Sequence, residues 1–255
     1  MAKRANDLSG KEWLQNSFSI WRDLKKSSEE KKLNHPASYP VVLCEKLIRT
    51  FAPGNCRVLD PFCGIGSTLV AAKNLNCLGM GVDLSKEYCD IASGRIGDSN
   101  DISIINGDSF DVLENHEIGF FDICVTSPPY WDILNMKRSA DQKEIVNYSE
   151  SSLDIGNIPN YDQFLSNLQN LFKLVYSRLK SDTYCLINVM DIRKKDCFYP
   201  LHSDLSTKLR EIGFVFDDLI IWDRQSDYNN MRPLGYPYRF RINKVHEYIL
   251  IMYKK

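Results

Sequence analysis

From residue 41 onward the chain alternates between segments with helical spacing and short apolar runs that read as strands. This pattern indicates a mostly parallel sheet covered on both faces, because parallel neighbours need a crossover, usually a helix, between them. In VVLCEKLIRTF, Val42, Leu43, Leu47 and Phe51 lie near helical spacing, and Pro53-Gly54 ends the run. Further helices are expected at 67–75, 86–95, 161–179 and 201–212, and strands at 57–60, 77–83, 102–105, 121–126, 184–189, 214–222 and 246–254. A length of 255 residues suits one large α/β domain, so a single domain is expected over 1–255, with 1–40 as its N-terminal segment. Two stretches break the alternation. Residues 132–160 are polar and rich in Ser, Asn and Asp and read as a mobile loop, while 223–244 are basic and aromatic between two strands.

Several classes are excluded early. No run approaches the ~18 consecutive apolar residues that cross a bilayer, and MAKRANDLSGKEW has no apolar core that would make it a secretory signal. The eight cysteines form no CxxC pair and sit mostly in apolar runs, which predicts buried free thiols in the reducing cytoplasm and no metal site. His202 and His246 read as capping or packing residues, and His116 lies in a polar turn.

The chemistry concentrates at strand ends. Val58-Leu59-Asp60 runs into Pro61-Phe62-Cys63-Gly64-Ile65-Gly66, and a helix starts at Ser67. Ligands of doubly wound sheets sit at the carboxyl ends of such strands, where the strand order reverses. The dinucleotide fingerprint GxGxxG is incomplete, since Leu69 stands at its third glycine. An acid in the turn repels a pyrophosphate and suits an ammonium group. Asp83 ends the next strand, placed for ribose hydroxyls, and Asp108 follows the third, placed for an adenine amino group. A ligand with a sugar, an adenine and a zwitterionic amino acid fits these three acids.

Ser127-Pro128-Pro129-Tyr130 follows the fourth strand. Two prolines end strand pairing and stiffen the backbone, so a rigid turn is one reading. The chemical reading is methylation of an aromatic amine. Such an amine is a poor nucleophile because its lone pair is delocalised into the ring. Hydrogen bonds from it to Ser127 and to the Pro128 carbonyl would localise the pair, while Tyr130 stacks on the base. A base in a duplex has to be flipped out to reach such a pocket. The Pro-Cys nucleophile of a carbon-5 cytosine enzyme is missing here.

DPFCGIGST and TSPPYW resemble motifs I and IV of the amino-methylating DNA methyltransferases, the N4-cytosine/N6-adenine family, and HPASYP (35–40) resembles its motif X. The similarity runs from about residue 9 to the closing HEYILIMYK. It implies a doubly wound, Rossmann-like α/β domain with a mixed seven-stranded sheet, its last strand antiparallel, and small inserted recognition loops. The implied cofactor is S-adenosylmethionine, held by Pro36, Ala37, Asp60, Phe62, Cys63, Gly64, Gly66, Asp83 and Asp108, with double-stranded DNA as partner. SPPY is commoner among N4-cytosine enzymes, and DPPY or NPPY among N6-adenine enzymes, so cytosine N4 is the expected target and adenine N6 the alternative. The motif I style resembles the β group, but motifs X and I precede SPPY here, a permuted order. RNA methylation and a binding-only protein with this fold are the competing readings. A restriction or defence-system partner and a homodimer are left open.

A net charge of −1 argues against nucleic acid unless positive charge is concentrated, and in 223–244 it is. Arg224, Arg232, Arg239, Arg241 and Lys244 face only Asp223 and Asp227, with Tyr228, Tyr236, Tyr238 and Phe240 interleaved. Arg224, Arg232, Tyr238, Arg239, Arg241 and Lys244 are the expected DNA contacts; a solvated hairpin is the plainer account. Lys137 and Arg138 would close over the flipped base or serve as surface charge. Trp13 and Trp21, eight apart, are expected on one face of a helix packed on the domain.

Overall fold

The computed structural model describes residues 4–33, 38–115, 117–131, 153–228 and 231–255. In chain order the elements are α1 (Gly10–Asn16), β1 (Ile20–Trp21), α2 (Val41–Phe51), β2 (Arg57–Asp60), α3 (Ser67–Asn74), β3 (Leu78–Asp83), α4 (Lys86–Ile96), β4 (Ile102–Asn106) and α5 (Ser109–Asn115). They continue with β5 (Phe121–Thr126), α6 (Tyr161–Arg178), β6 (Leu179–Val189), β7 (Ile192–Lys194), β8 (Cys197–Tyr199), α7 (Leu201–Glu211), β9 (Val215–Asp223) and β10 (His246–Lys254). The large sheet runs β1-β9-β10-β6-β5-β2-β3-β4. β10 is antiparallel to both its neighbours, whereas β2, β3, β4, β5 and β6 pair in parallel.

Period-two alternation sorts the strands' side chains into two apolar layers. Val58, Ile123, Val125, Leu186, Ile249 and Ile251 face α2 and the alanines of α3. Leu59, Cys124, Cys185, Ile187, Leu250 and Met252 face α5, α6 and α7. Seven of the cysteines are buried as free thiols and Cys197 is exposed. Among the described residues no helix is long and apolar enough to cross a membrane.

The seven expected strands are all present, and the sheet gains an eighth. Ile20 and Trp21 pair in parallel with Ile221 and Trp222. Trp13 and Trp21 therefore do not share a helix. Trp13 lies on α1 and is exposed, while Trp21 is buried on the edge strand with Lys46 Nζ 4.2 Å above its ring. A two-residue strand has too little length for periodicity to show. The helix α5 and the β7–β8 hairpin are likewise additions. The expected mobile loop 132–160 is corrected at its end: Asp154 and Ile155 are buried, and a 3-10 turn at Ile155–Asn157 packs on the site. Its remainder, with Lys137 and Arg138, lies outside the described residues, as do Pro36, Ala37, His35 and His116.

Two glycines separate backbone need from mere permissiveness. Gly66 caps α3 at φ +78°, and a Cβ there would lie 2.8 Å from Ala92 Cβ. Gly94 sits inside α4 with nothing within 4 Å of an added Cβ. Gly66→Ala is therefore expected to destabilise by about 1–3 kcal/mol, and Gly94→Ala to stabilise by up to about 1 kcal/mol. Urea denaturation midpoints at unchanged slope measure both, and equal signs would contradict the packing described.

Candidate active site

The chain steps outward from β2 through β3 to β4, then returns to β5 and continues through β6, so the strand order reverses between β2 and β5. The ends of both strands meet there through one side chain. Asp60 is fully buried; its Oδ1 accepts from Thr126 Oγ1 at 2.6 Å and from Phe62 N at 3.1 Å, and its Oδ2 from the Tyr39 hydroxyl at 3.0 Å. Burial pushes this carboxyl up, opposed by the hydrogen bonds it receives. Asp60 thus holds the turn from below and is not presented at its surface. Tyr39 lies inside the motif X segment HPASYP but was not among the expected site residues, because a tyrosine before a proline carries no chemical signal of its own.

The turn above Asp60 is tied to the second strand. Cys63 N donates to Val82 O at 3.0 Å, and Gly64 N to Asp83 Oδ2 at 2.8 Å. Asp83 Oδ1 accepts from Ser85 N at 2.9 Å, so its carboxylate bridges the Gly turn and the start of α4. Gly64 takes φ +50°, a left-handed geometry that glycine adopts freely. Asp108 Oδ1 accepts from Phe110 N at 3.0 Å at the head of α5, and Ser109 Oγ reaches Pro61 O. The structure thus gathers Asp60, Phe62, Cys63, Gly64, Gly66, Asp83 and Asp108 along one edge. Asp83 and Asp108 suit hydroxyl and amino donors of a ligand, whereas Asp60, expected to meet an ammonium group, is taken up by donors within the fold. Among the described residues no group of three His, Cys, Asp or Glu converges as metal ligands do.

Ser127-Pro128-Pro129-Tyr130 leaves β5 beside this turn. Ser127 Oγ lies 3.0 Å from the Tyr130 hydroxyl and 3.3 Å from the Asn188 carbonyl at the end of β6. Tyr130 donates to Glu247 Oε2 at 2.8 Å and accepts from Asn188 Nδ2 at 2.7 Å. Burial and the Glu247 carboxylate push the Tyr130 hydroxyl's pKa well up, so it keeps its proton. Trp131 follows at φ +54°, and its Nε1 donates to Ile158 O at 2.8 Å. Its ring packs against Tyr161 and Tyr199 at 5.1 and 4.9 Å between centroids, anchoring the chain where it leaves the site.

Asn188 and Glu247 are functional-site residues that the sequence reading missed. Each is 4% exposed, Asn188 standing between buried Ile187 and Val189 and Glu247 just ahead of the apolar run of β10. That interruption is itself the signal, since a buried polar side chain needs a partner.

The basic insertion divides. Arg224 turns inward: it pairs with Glu247 Oε1 and with Asp227 at 3.3 Å, and lies over Trp222 at 4.7 Å. Burial alone would disfavour its charge, but the Glu247 carboxylate outweighs that and holds the proton more firmly than usual. Arg232, Arg239 and Tyr238 are exposed, Tyr238 at 95%. Arg239 and Arg241 reach Asp196 in the β7–β8 hairpin, and Lys244 Nζ lies 4.9 Å over Phe198 in the same hairpin. The hairpin adds Arg193 and Lys195 to this surface, while Lys194 Nζ lies 4.1 Å over the Trp131 ring.

Comparison with known proteins agrees with this geometry. A solved precorrin-6y C5,15-methyltransferase from Geobacter metallireducens superposes with a TM-score of 0.51 at 12% identity, covering 99% of this chain and 100% of that one, a likeness of fold. The type II methyltransferase M.BglII of Bacillus subtilis is 37% identical over 91 residues, 35% of this chain and 25% of that protein. The orphan methyltransferase M.BamHII of Bacillus amyloliquefaciens is 37% identical over 83 residues, 31% of each. The matched part thus spans about a quarter to a third of the length of these curated relatives. The family model described as DNA methylase matches residues 2–94 and 121–255, nearly the whole chain. The chain belongs to the N6/N4 DNA methylase family, the amino-methylating DNA methyltransferases that use S-adenosylmethionine.

Proposed function

We propose that this protein transfers a methyl group from S-adenosylmethionine to the exocyclic N4 of a cytosine flipped out of double-stranded DNA. The observation that carries the reading is the placement of Ser127 beside the Gly turn, at the point where the strand order reverses. S-adenosylmethionine, when bound, supplies a methyl group on a positively charged sulfur. Asp83 would take the ribose hydroxyls and Asp108 the adenine amino group, with Phe62, Cys63 and Gly64 lining the turn. Ser127 Oγ and the Pro128 carbonyl accept hydrogen bonds from the two amine hydrogens, which turns the nitrogen lone pair out of the ring. Tyr130 offers a face to the flipped base, a contact worth about 1–3 kcal/mol. After transfer the methylated amine would carry one proton too many, which it would lose to solvent while Ser127 Oγ and the Pro128 carbonyl hold the nitrogen in place. Arg232, Arg239, Arg241 and Lys244 would meet phosphates, with Tyr238 available to stack or wedge.

Nucleoside mass spectrometry of DNA from cells expressing the protein tests this directly. N4-methylcytosine is expected with the intact chain, and Ser127→Ala should lower its formation at least about tenfold through one lost hydrogen bond. N6-methyladenine in its place would overturn the choice of base. No methylated DNA base would overturn DNA as the substrate and direct the search to RNA.

The charge placement makes a second prediction. Lys244→Ala should reduce the slope of log affinity for duplex DNA against log salt by about 0.9. Arg224→Gln should leave that slope unchanged, because this guanidinium is engaged by Glu247. Filter-binding titrations across salt concentrations measure both.

The cofactor acids make a third. Asp108→Ala should weaken binding of S-adenosylmethionine by roughly tenfold, read by isothermal titration.

A further inference from the structure

The hydrogen bonds around Ser127 have a direction that can be worked out from their partners. Glu247 is 4% exposed and paired with Arg224, and its Oε2 accepts from two donors, the Tyr130 hydroxyl and Asn188 Nδ2. Asn188 Nδ2 lies 2.7 Å from the Tyr130 oxygen and 2.5 Å from Glu247 Oε2. That places the amide nitrogen, and no other atom of the amide, between two acceptors. The orientation with Nδ2 toward these two oxygens leaves Asn188 Oδ1 buried with no hydrogen-bond partner among the described residues. Tyr130 has one proton. It receives a hydrogen bond from Asn188, and its own proton faces Glu247.

The tyrosine oxygen therefore meets Ser127 as an acceptor. The second neighbour of Ser127 Oγ, the Asn188 carbonyl, is also only an acceptor. Both protein partners draw the serine proton inward, and the serine lone pairs are left for the substrate side. This matters for an amine nucleophile. A serine that donated to the amine would tie up the lone pair that has to attack, whereas a serine that accepts from it frees that pair.

We propose that Glu247 is a positioning residue which, acting through Tyr130, fixes Ser127 as a hydrogen-bond acceptor toward the target amine. Arg224 pairs with the other oxygen of Glu247, and Asn188 closes the ring of contacts. The inference rests on the amino-methylation proposed above and adds to it a residue 117 positions from Tyr130, on the antiparallel strand β10. It also assigns Arg224 to the site's interior and away from the DNA-facing surface.

The test uses single-turnover methylation with Glu247→Gln, Tyr130→Phe and the double variant. Glu247→Gln removes the fixed acceptor and is expected to lower the methyl-transfer rate roughly 10- to 100-fold, with the KM values for cofactor and DNA within about twofold of wild type. Tyr130→Phe keeps the ring and leaves the Arg224–Glu247 pair whole, so it guards against a variant that fails for lack of folding. Removing the hydroxyl breaks the link from position 247 to Ser127 through Tyr130 and leaves only the Asn188 backbone carbonyl, which the strand ladder holds, so the double variant should match Tyr130→Phe alone and not multiply the losses. A Glu247→Gln or Tyr130→Phe enzyme with wild-type rate, or fully multiplicative losses, would overturn the inference while wild-type activity upheld the function. An inactive wild-type protein would overturn the proposed function and this inference together.

Discussion

The structure turns on a buried carboxylate. Asp60 sits at the end of β2 with no exposed surface, where an unpartnered charge would cost several kcal/mol. Its partners come from three separate parts of the chain: Tyr39 before α2, the Phe62 N–H in its own turn, and Thr126 at the end of β5. Satisfying one charge thus joins the helix that covers the sheet, the Gly turn and the strand that delivers Ser127. The turn cannot move without breaking a bond to the strand that delivers Ser127. That coupling holds the Gly turn and the Ser-Pro-Pro-Tyr segment in register.

A second polar group repeats the principle across the reversal of strand order. Glu247 enters from β10, whose antiparallel direction puts its first residues at the same edge where the parallel strands end. One inverted strand therefore brings a carboxylate beside Tyr130, and the adjoining end of β9 brings Arg224 to neutralise it. Arg239 and Arg241 are tied to the hairpin β7–β8 through Asp196, Arg239 exposed and Arg241 half-buried, while Arg232 is exposed. Two neighbouring stretches of one basic segment consequently serve different ends. Its first arginine completes an interior network, and Arg232 and Arg239 add exposed positive charge to a chain that is nearly neutral overall.

Much of the fold was legible because burial imposes periodicity. The runs FDICVT, CLINV and ILIM alternate between two covered faces, and the helices α2 and α6 carry their apolar residues on one side. The strand-end acids and the two prolines after β5 were legible for another reason: their chemistry is unusual at those positions whatever surrounds them. The parts that escaped lacked such local marks. Ile20–Trp21 is too short for a period, and α5 is a seven-residue helix. Asp154 and Ile155 read as loop residues until Trp131 and Pro129 supply a surface to bury them.

The sequence by itself determined the α/β alternation, the Gly turn with its acids and the Ser-Pro-Pro-Tyr segment, since each depends on residues within a few positions of one another. Only the tertiary structure decided that Asp60 faces inward, that Arg224 joins Glu247 and that Asn188 and Glu247 enclose Tyr130. Those outcomes depend on contacts between residues tens to more than a hundred positions apart. A polar side chain in a strand announces that it needs a partner, but sheet order and strand direction choose which one it meets.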